Sequence, residues 1–126
     1  MSRIRSRDTL TERTVRSLLH RLGFRFSLRL RDLPGKPDIV LPARKAVVFV
    51  HGCFWHHHEG CPNATIPKAR RSFWEAKFIG NTARDGRVEL ELQKLGWLVI
   101  IVWECELVNE EKLMARLAAA LKERRP

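Results

Sequence analysis

The sequence lacks a hydrophobic run long enough to cross a lipid bilayer. Its longest apolar segment is Trp97-Leu-Val-Ile-Ile-Val-Trp103, whereas a membrane-spanning helix needs about 20 apolar residues. The basic start Met1-Ser-Arg-Ile-Arg-Ser-Arg7 is not followed by the apolar stretch of a signal peptide. Repeats, linkers and low-complexity segments are also missing. We therefore expect a soluble, cytoplasmic protein with one domain over residues 1–126, in which residues 1–8 form a short basic arm.

Cysteine and acidic residues are scarce. Three cysteines cannot all pair within one chain, and in a cytosolic protein cysteines close to histidines indicate metal binding sooner than disulfides. Only 14 acidic residues stand against 24 lysines and arginines, which gives a net charge of +10. Such a charge favours polyanions, because their binding releases condensed counterions, and it makes nucleic acid the expected partner. On charge alone, a merely basic surface is the alternative.

Hydrophobic periodicity in the first half of the chain predicts a helix followed by a β-meander. Thr9-Leu-Thr-Glu12 has the form of a capping box and opens a helix over residues 10–22. Apolar residues then alternate with arginine and serine over 24–31, which predicts a half-buried strand with a basic outer face. After the turn at 33–37, strands are expected at 38–41 and 46–50.

The second half of the chain predicts helices around one more strand. Helical spacing runs from Phe73 to Leu95, with a loosening near Gly80. The apolar strand 97–103 is expected to be central and covered on both faces. Asn109 caps a last helix. The resulting order, α-β-β-β-(α)-α-β-α, predicts an α/β fold with a mixed sheet flanked by helices.

The segment 51–61 is the most unusual in the chain, because it holds four of the five histidines and two of the three cysteines. Cys53, His58 and Cys61, together with Cys105 from the end of the last strand, form a candidate Cys3His site. Zinc suits this donor set, and four protein ligands would close its coordination sphere, so the site would be structural. His57 is an alternative to His58, and three unrelated buried thiols are the alternative to a metal site.

A second chemical signal starts at Asp38. A Pro-Asp pair at the head of a strand, followed by a second strand, is how many DNA nucleases begin their metal site. Those enzymes carry Asp/Glu-x-Lys on the second strand, but Phe49-Val50-His51 stands here. Asp38, a main-chain carbonyl and waters could hold magnesium, and His51 and His56 could supply the proton chemistry. Taken alone, a Pro-Asp pair is more often a strand-entry turn, but the neighbouring histidines favour the metal site.

Other candidates have ordinary structural alternatives. Glu12 could serve the chemistry or only the capping box, and Asp85 could orient an imidazole or lie on a solvated helix face. Phe54-Trp55 lies between two candidate metal ligands, so we expect the pair to protrude from a rigid loop. Trp74 follows a basic stretch and could also stack on bases, with core packing as its alternative.

Several segments together carry a family pattern. These are Leu33-Pro-Gly-Lys-Pro-Asp38, Val48–His58, Phe73-Trp74 with Lys77 and Asn81, Arg84-Asp85, and Gly96-Trp97 leading to Val102-Trp-Glu-Cys105. In this order and spacing, the chain resembles the very short patch repair (Vsr-type) mismatch endonucleases from about residue 2 to the final helix. The run His51-Gly-Cys-Phe-Trp-His56 is highly specific.

The resemblance implies a restriction-endonuclease-like fold of the PD-(D/E)xK type with a structural zinc site. It also implies magnesium-dependent, strand-specific nicking of duplex DNA on the 5′ side of the thymine in a T:G mismatch. In the magnesium site that the resemblance implies, Asp38 and the Val50 carbonyl would bind the ion and Glu12 would hold a water of the site. His56 would be the base with Asp85 orienting it, and His51 would contact the scissile phosphate or the leaving group. The resemblance further implies zinc ligands at Cys53, His58, Cys61 and Cys105, intercalating residues at Phe54, Trp55 and Trp74, and further DNA-binding residues at Lys77, Asn81 and Arg84.

Two departures from the family pattern bear on these expectations. The gap His58-Glu-Gly-Cys61 is one residue longer than in some members, which a zinc loop tolerates. The arm before the first helix is short, which affects DNA affinity more than chemistry. We expect a monomer with mismatch-repair proteins as further partners. A non-catalytic, zinc-stapled module that binds distorted duplex is the alternative function, whereas a zinc hydrolase would need an open coordination position.

Overall fold

The computed structural model describes residues 9–28 and 33–123, apart from the side chains of Thr9 and Asn63. No helix within these ranges is both long and apolar enough to cross a membrane. The described elements, in chain order, are α1 (Thr9–Arg21), β1 (Ser27–Leu28), β2 (Ile39–Leu41), β3 (Ala46–His51), α2 (Arg71–Lys94), β4 (Leu98–Trp103) and α3 (Glu110–Lys122), with short 3-10 helices at Pro42–Arg44, Pro62–Ala64 and Glu104–Val108.

The strands form one mixed sheet in the order β1-β2-β3-β4. The first three strands pair antiparallel, as the predicted β-meander requires, and β4 runs parallel to β3. The mixed sheet flanked by helices is therefore confirmed. Of the strand predicted over 24–31, the structure shows Ser27–Leu28 as β1, and residues 29–31 lie outside the described residues.

One face of the sheet carries the larger core, against α1 and α3. Alternate residues of each strand point to this face, because successive side chains in a strand project to opposite sides. The fully or nearly fully buried members are Val15, Leu18, Leu19, Ile39, Leu41, Ala46, Val48, Ile100, Val102, Leu113, Leu117 and Leu121. The predicted cap of α3 is confirmed, since the Asn109 side chain accepts a hydrogen bond from the Lys112 N–H at 3.1 Å. The predicted capping box of α1 needs the Thr9 side chain, which lies outside the described residues.

The opposite face of the sheet is covered by α2. Val40, Val47 and Leu92 are fully buried there, with Phe49 and Val88 packed around them. The predicted loosening near Gly80 is wrong, since α2 continues unbroken from Arg71 to Lys94. A glycine costs about 1 kcal/mol in a helix but leaves the backbone hydrogen bonds intact, and the rest of α2 keeps Gly80 helical.

The predicted central position of β4 is also wrong. Among the described strands, β4 pairs only with β3 and lies at an edge of the sheet. Its apolar composition has another cause, because helices cover both of its faces. Ile100 and Val102 pack toward α1 and α3, whereas Val99 packs toward α2.

Candidate active site and metal cluster

Strands β2 and β3 bring Asp38 against the main chain of Val50. Asp38 directly precedes β2, and the pairing of Ile39 with Val48 places it level with the end of β3. The Val50 N–H donates a hydrogen bond to Asp38 Oδ2 at 2.7 Å. The Asp38 side chain is buried, with 8% of its surface exposed. A carboxylate is thus fixed beside the backbone of the next strand.

His51, His56 and Asp85 meet between the end of β3 and the middle of α2. His56 Nδ1 lies 2.6 Å from Asp85 Oδ2. A carboxylate only accepts hydrogen bonds, so Nδ1 carries the hydrogen and Nε2 is left with a lone pair. The rings of His51 and His56 stack with centroids 3.7 Å apart and planes 3° from parallel.

The parallel stacking decides what the two imidazoles can do together. A metal ion bound by an imidazole lies in the plane of the ring, and two parallel planes share no point. The stacked orientation of His51 and His56 therefore excludes one metal ion shared by both rings, although their nitrogens and the Asp85 carboxylate lie within 4.8 Å of one another. The group is arranged for proton transfer.

The charges of this group follow from burial and proximity. Burial, and after it the neighbouring His56, lower the pKa of His51 to about 4, although Asp85 opposes the shift. For Asp85, burial raises the pKa, but the hydrogen bond from His56 and nearby positive charge lower it overall. At neutral pH His51 is therefore neutral and Asp85 is ionised. Within the described part of the chain, His51 Nδ1 is buried and makes no hydrogen bond.

Asp38, the two histidines and Asp85 line one cavity of about 580 Å³. Sequence reasoning missed two charged residues of its wall, Lys36 and Glu89. A signal existed for both, because Glu89 follows Asp85 by one helical turn and Lys36 stands two positions before Asp38. Glu12 is buried on α1 and is not part of this wall. The remaining lining residues are Gly35, Phe49, Val50, Arg84, Val88, Val99 and Ile101.

The four predicted metal ligands converge on the other side of the same loop. His58 Nδ1 lies 3.7 Å from Cys53 Sγ and 3.5 Å from Cys105 Sγ, and with Cys61 the four ligand atoms all lie within 4.8 Å of one another. His57 instead stacks on Phe78 with centroids 4.8 Å apart. The structure therefore brings His58, and not His57, to the thiols.

Burial disfavours the charged thiolate forms of the cysteines in the cluster. It raises the pKa of the Cys53 thiol to about 12, and it also raises the pKa of the Cys105 thiol. Both thiols would stay protonated at neutral pH without a positive charge among them, and a bound metal ion supplies that charge. The donor set can thus hold a metal ion.

The predicted intercalating residues form an aromatic cluster with α2. The ring centroid of Phe54 lies 5.3 Å from those of Trp55 and Trp74 and 5.2 Å from that of Phe78. Phe54 and Trp55 are half-buried, so the expected protrusion from the loop is wrong in degree. Rings edge to face over α2 bury part of their surface while keeping the remainder exposed.

The other predicted DNA-binding residues lie along α2 beside this cluster. The Asn81 side-chain amide donates to the Trp55 carbonyl at 2.8 Å, and Arg84 Nη2 donates to Asn81 Oδ1 at 3.3 Å. The first bond fastens the aromatic loop to α2, and the second lies within the helix. Lys77 is exposed on the same helix.

Known proteins are similar in sequence to this chain over most of its length. A type II nicking enzyme, V.XorIIP of Xanthomonas oryzae pv. oryzae, is 52% identical over 93% of this chain and 85% of the relative. Another, V.NmeAIP of Neisseria meningitidis, is 45% identical over 98% of this chain and 87% of the relative. The chain is thus a DNA endonuclease.

The family is shown by two further comparisons. The family model described as DNA mismatch endonuclease Vsr matches residues 1–62. The DNA mismatch endonuclease Vsr of Escherichia coli is 46% identical over 90% of this chain and 72% of the relative. The chain belongs to the family of Vsr DNA mismatch endonucleases, as its resemblance to that family had indicated.

Proposed function

We propose that this endonuclease acts as a monomeric, single-domain, magnesium-dependent enzyme that nicks one strand of duplex DNA 5′ to the thymine of a T:G mismatch. The observation that carries the proposal is the shared cavity of Asp38, His51, His56 and Asp85. A carboxylate anchored beside a strand backbone and a carboxylate–imidazole pair face each other there. A module that only binds DNA needs neither.

The oxygen donors of the cavity suit magnesium. Asp38 and the main-chain carbonyl of Val50 would hold the ion, since magnesium prefers carboxylate and carbonyl oxygens with waters. When bound, the ion would offset negative charge on the scissile phosphate. Glu12, which is buried on α1, is proposed to contact a water of the magnesium site.

His56 is the proposed general base. Its Nδ1–H is committed to Asp85 at 2.6 Å, so Nε2 can take a proton from the attacking water. Asp85 is ionised and stabilises the imidazolium that results. His51, which is stacked on His56 and neutral, would contact the scissile phosphate or the leaving oxygen. Only one of the two stacked rings can easily carry a positive charge, which keeps their roles distinct.

Zinc is the proposed metal of the Cys3His cluster. Tetrahedral zinc with sulfur at about 2.3 Å and nitrogen at about 2.0–2.1 Å places those ligands about 3.5 Å apart. The distances from His58 Nδ1 to Cys53 and Cys105 are 3.7 and 3.5 Å. With four protein ligands the ion would be structural, and it would hold the loop that carries His51 and His56 on one side and Phe54 on the other.

The aromatic cluster is the proposed mismatch sensor. Phe54, Trp55 and Trp74 would enter the base stack, and a mispaired step favours entry because it costs less to unstack. Lys77, Asn81 and Arg84 would contact the DNA beside them. The basic surface, at a net charge of +10, favours the duplex as a whole. Contact with mismatch-repair proteins and a cytoplasmic location stay predictions.

The test is strand-resolved nicking of paired substrates. Duplexes with one T:G or one matched pair, labelled on each strand in turn, are incubated with magnesium or with a chelator. We expect one nick, 5′ to the mispaired thymine, only with magnesium. Asp38→Ala should abolish the nick while keeping DNA binding. Glu111→Ala, at an exposed position of α3, is the control that removes a carboxylate outside the cavity. Equal nicking of matched duplex, or an active Asp38→Ala enzyme, would contradict the proposal.

A further inference from the structure

Lys36 occupies an unusual backbone conformation at the wall of the active-site cavity. Its φ is +50°, in the left-handed region that non-glycine residues rarely adopt. It lines the same cavity as Asp38 and His51. Conformational strain of this kind persists only where the surrounding structure enforces it, and it is concentrated at functional sites.

The turn around Lys36 is what enforces this conformation. The Lys36 N–H donates to the Leu33 carbonyl at 3.2 Å, with Pro34 and Gly35 between them. Gly35 has a φ of +73°, as the third residue of a type II turn requires. Pro37 restricts the backbone on the other side. The turn is also pressed onto α2, because a Cβ on Gly35 would lie 2.3 Å from Val88 Cγ1. Lys36 is therefore held at a fixed place.

Strand β3 supplies no cationic side chain for the scissile phosphate in this cavity. Nucleases with the Asp/Glu-x-Lys pattern carry a lysine on this strand, but Phe49-Val50-His51 stands there. Arg84 also lines the cavity, but its Nη2 donates to Asn81 Oδ1. The other charged side chains of the wall are the carboxylates Asp38, Asp85 and Glu89. Of these three carboxylates, Asp85 is paired with His56 and Asp38 would hold magnesium, which leaves Lys36 as the lysine of the wall that can reach a scissile phosphate.

We propose that Lys36 is a catalytic residue whose ammonium group contacts a non-bridging oxygen of the scissile phosphate. It would take the place of the missing β3 lysine, from the turn that precedes β2. This inference rests on the proposed nicking function. A bond forms between phosphorus and the water oxygen, and the proton of the water passes to His56. The bond to the leaving bridging oxygen breaks, its electron pair departs with that oxygen, and the oxygen takes a proton from a solvent water to become a hydroxyl group. Lys36 keeps its protons and stabilises the added negative charge.

The chain offers a matched control in Lys45. Lys45 is also an exposed lysine in the left-handed region, with a φ of +51°. It directly precedes β3, and His51 is the last of the six residues of that strand, so roughly 20 Å of extended strand separate the two. Its side chain lies over the Trp97 ring, 6.0 Å from the centroid. Substitution of Lys45 thus removes the same charge and the same strain outside the cavity.

The experiment compares single-turnover nicking of a T:G duplex at saturating enzyme with DNA affinity measured without magnesium. We expect Lys36→Ala to lower the single-turnover rate by about 10²-fold, the scale for removing one donor to a developing oxyanion, with affinity nearly unchanged. Lys36→Arg should restore part of the rate, and Lys45→Ala should match the wild type. The inference would be overturned if Lys36→Ala nicked at an unchanged rate. It would also be overturned if the variant bound DNA more weakly, with the salt dependence of binding reduced by about one charge, but nicked at an unchanged rate when saturated.

Thermal stability separates a catalytic role from a structural one. Glycine accepts positive φ without steric cost, so Lys36→Gly should melt no lower than the wild type and still lose the nicking rate. Lys45→Gly should also melt no lower and should keep the rate. A Lys36→Gly protein that is slow only because it melts much earlier would overturn the catalytic role. If the wild-type enzyme itself does not nick the T:G duplex, the proposed function fails first, and this inference fails with it.

Discussion

The indole of Trp103 stacks on the imidazole of His58, with ring centroids 4.0 Å apart and planes 5° from parallel. The same indole meets the ring of His51 edge-on, at 5.1 Å between centroids. Trp103 thus lies between the Cys3His cluster and the stacked histidines of the cavity. Through it, the position of the proposed metal ligand His58 constrains the position of the proposed catalytic imidazole of His51.

The contact predicts that Trp103 positions His51. Trp103→Leu should leave metal content and KM for the T:G duplex near the wild-type values, but it should lower kcat by about 10-fold or more, since small displacements of reacting groups have that effect. Trp103→Phe should recover part of the loss. Trp97→Phe, at the residue that directly precedes β4, is the control. A change in KM alone would assign Trp103 to DNA binding.

Removal of the metal cluster should act on stability before it acts on chemistry. Cys105→Ser replaces a soft ligand at the end of β4, and we expect bound zinc to fall well below one ion per chain by elemental analysis. Because metal binding free energy becomes folding free energy, the melting temperature should fall as well. A strong chelator should lower the wild-type melting temperature and leave Cys105→Ser nearly unchanged. Full zinc content and normal melting in the variant would remove Cys105 from the site.

The Asp85–His56 pair predicts a loss of rate without a loss of structure. Asp85→Asn keeps the shape of the side chain but can present N–H groups to His56 Nδ1, which would no longer fix the imidazole tautomer. General-base catalysis contributes about 10²–10⁴-fold, so we expect the single-turnover rate to fall within that range. DNA affinity and melting temperature should stay close to those of the wild type. Glu91→Gln on the exposed side of α2 serves as the charge-matched control. Equal rates in both variants would contradict the role of Asp85 in orienting His56.

Local patterns predicted the local parts of this site. The density of histidine and cysteine in 51–61 indicated the metal cluster, and Pro37-Asp38 before β2 indicated the carboxylate that binds the Val50 N–H. The edge position of β4 was not predictable, because an edge strand covered by helices on both faces has the same apolar composition as a central one. His58 and His57 differ by one position, and only the path of the loop separates a residue at the thiols from one stacked on Phe78.

The contacts between the two halves of the site could not be predicted from the sequence. Trp103 on His58 and Gly35 on Val88 join residues separated by more than 40 positions, and neither pair has a periodic or spacing signal. Lys36 and Glu89 were visible in the sequence, but their position on the cavity wall depends on how the turn before β2 packs on α2. Side chains far apart in the chain become neighbours only through packing.

The contact between Gly35 and Val88 predicts a coupled pair that sets the width of the cavity. Gly35→Ala would place a Cβ 2.3 Å from Val88 Cγ1 at a φ of +73°, so the turn and α2 must move apart. We expect a loss of stability of about 2 kcal/mol or more, because the variant combines overpacking with left-handed strain. Nicking should weaken too, because the turn precedes Asp38 and α2 carries Asp85.

Two further variants isolate the steric part of this effect. Gly23 has a φ of +88° and nothing within 4 Å of an added Cβ, so Gly23→Ala should show only the conformational cost, about 1–2 kcal/mol, with nicking retained. Val88→Ala combined with Gly35→Ala should recover stability and rate relative to Gly35→Ala alone, as a double-mutant cycle measured by denaturant unfolding would show. If the two substitutions are simply additive, the turn and α2 are not coupled, and the spacing between Asp38 and Asp85 must be set by the sheet alone.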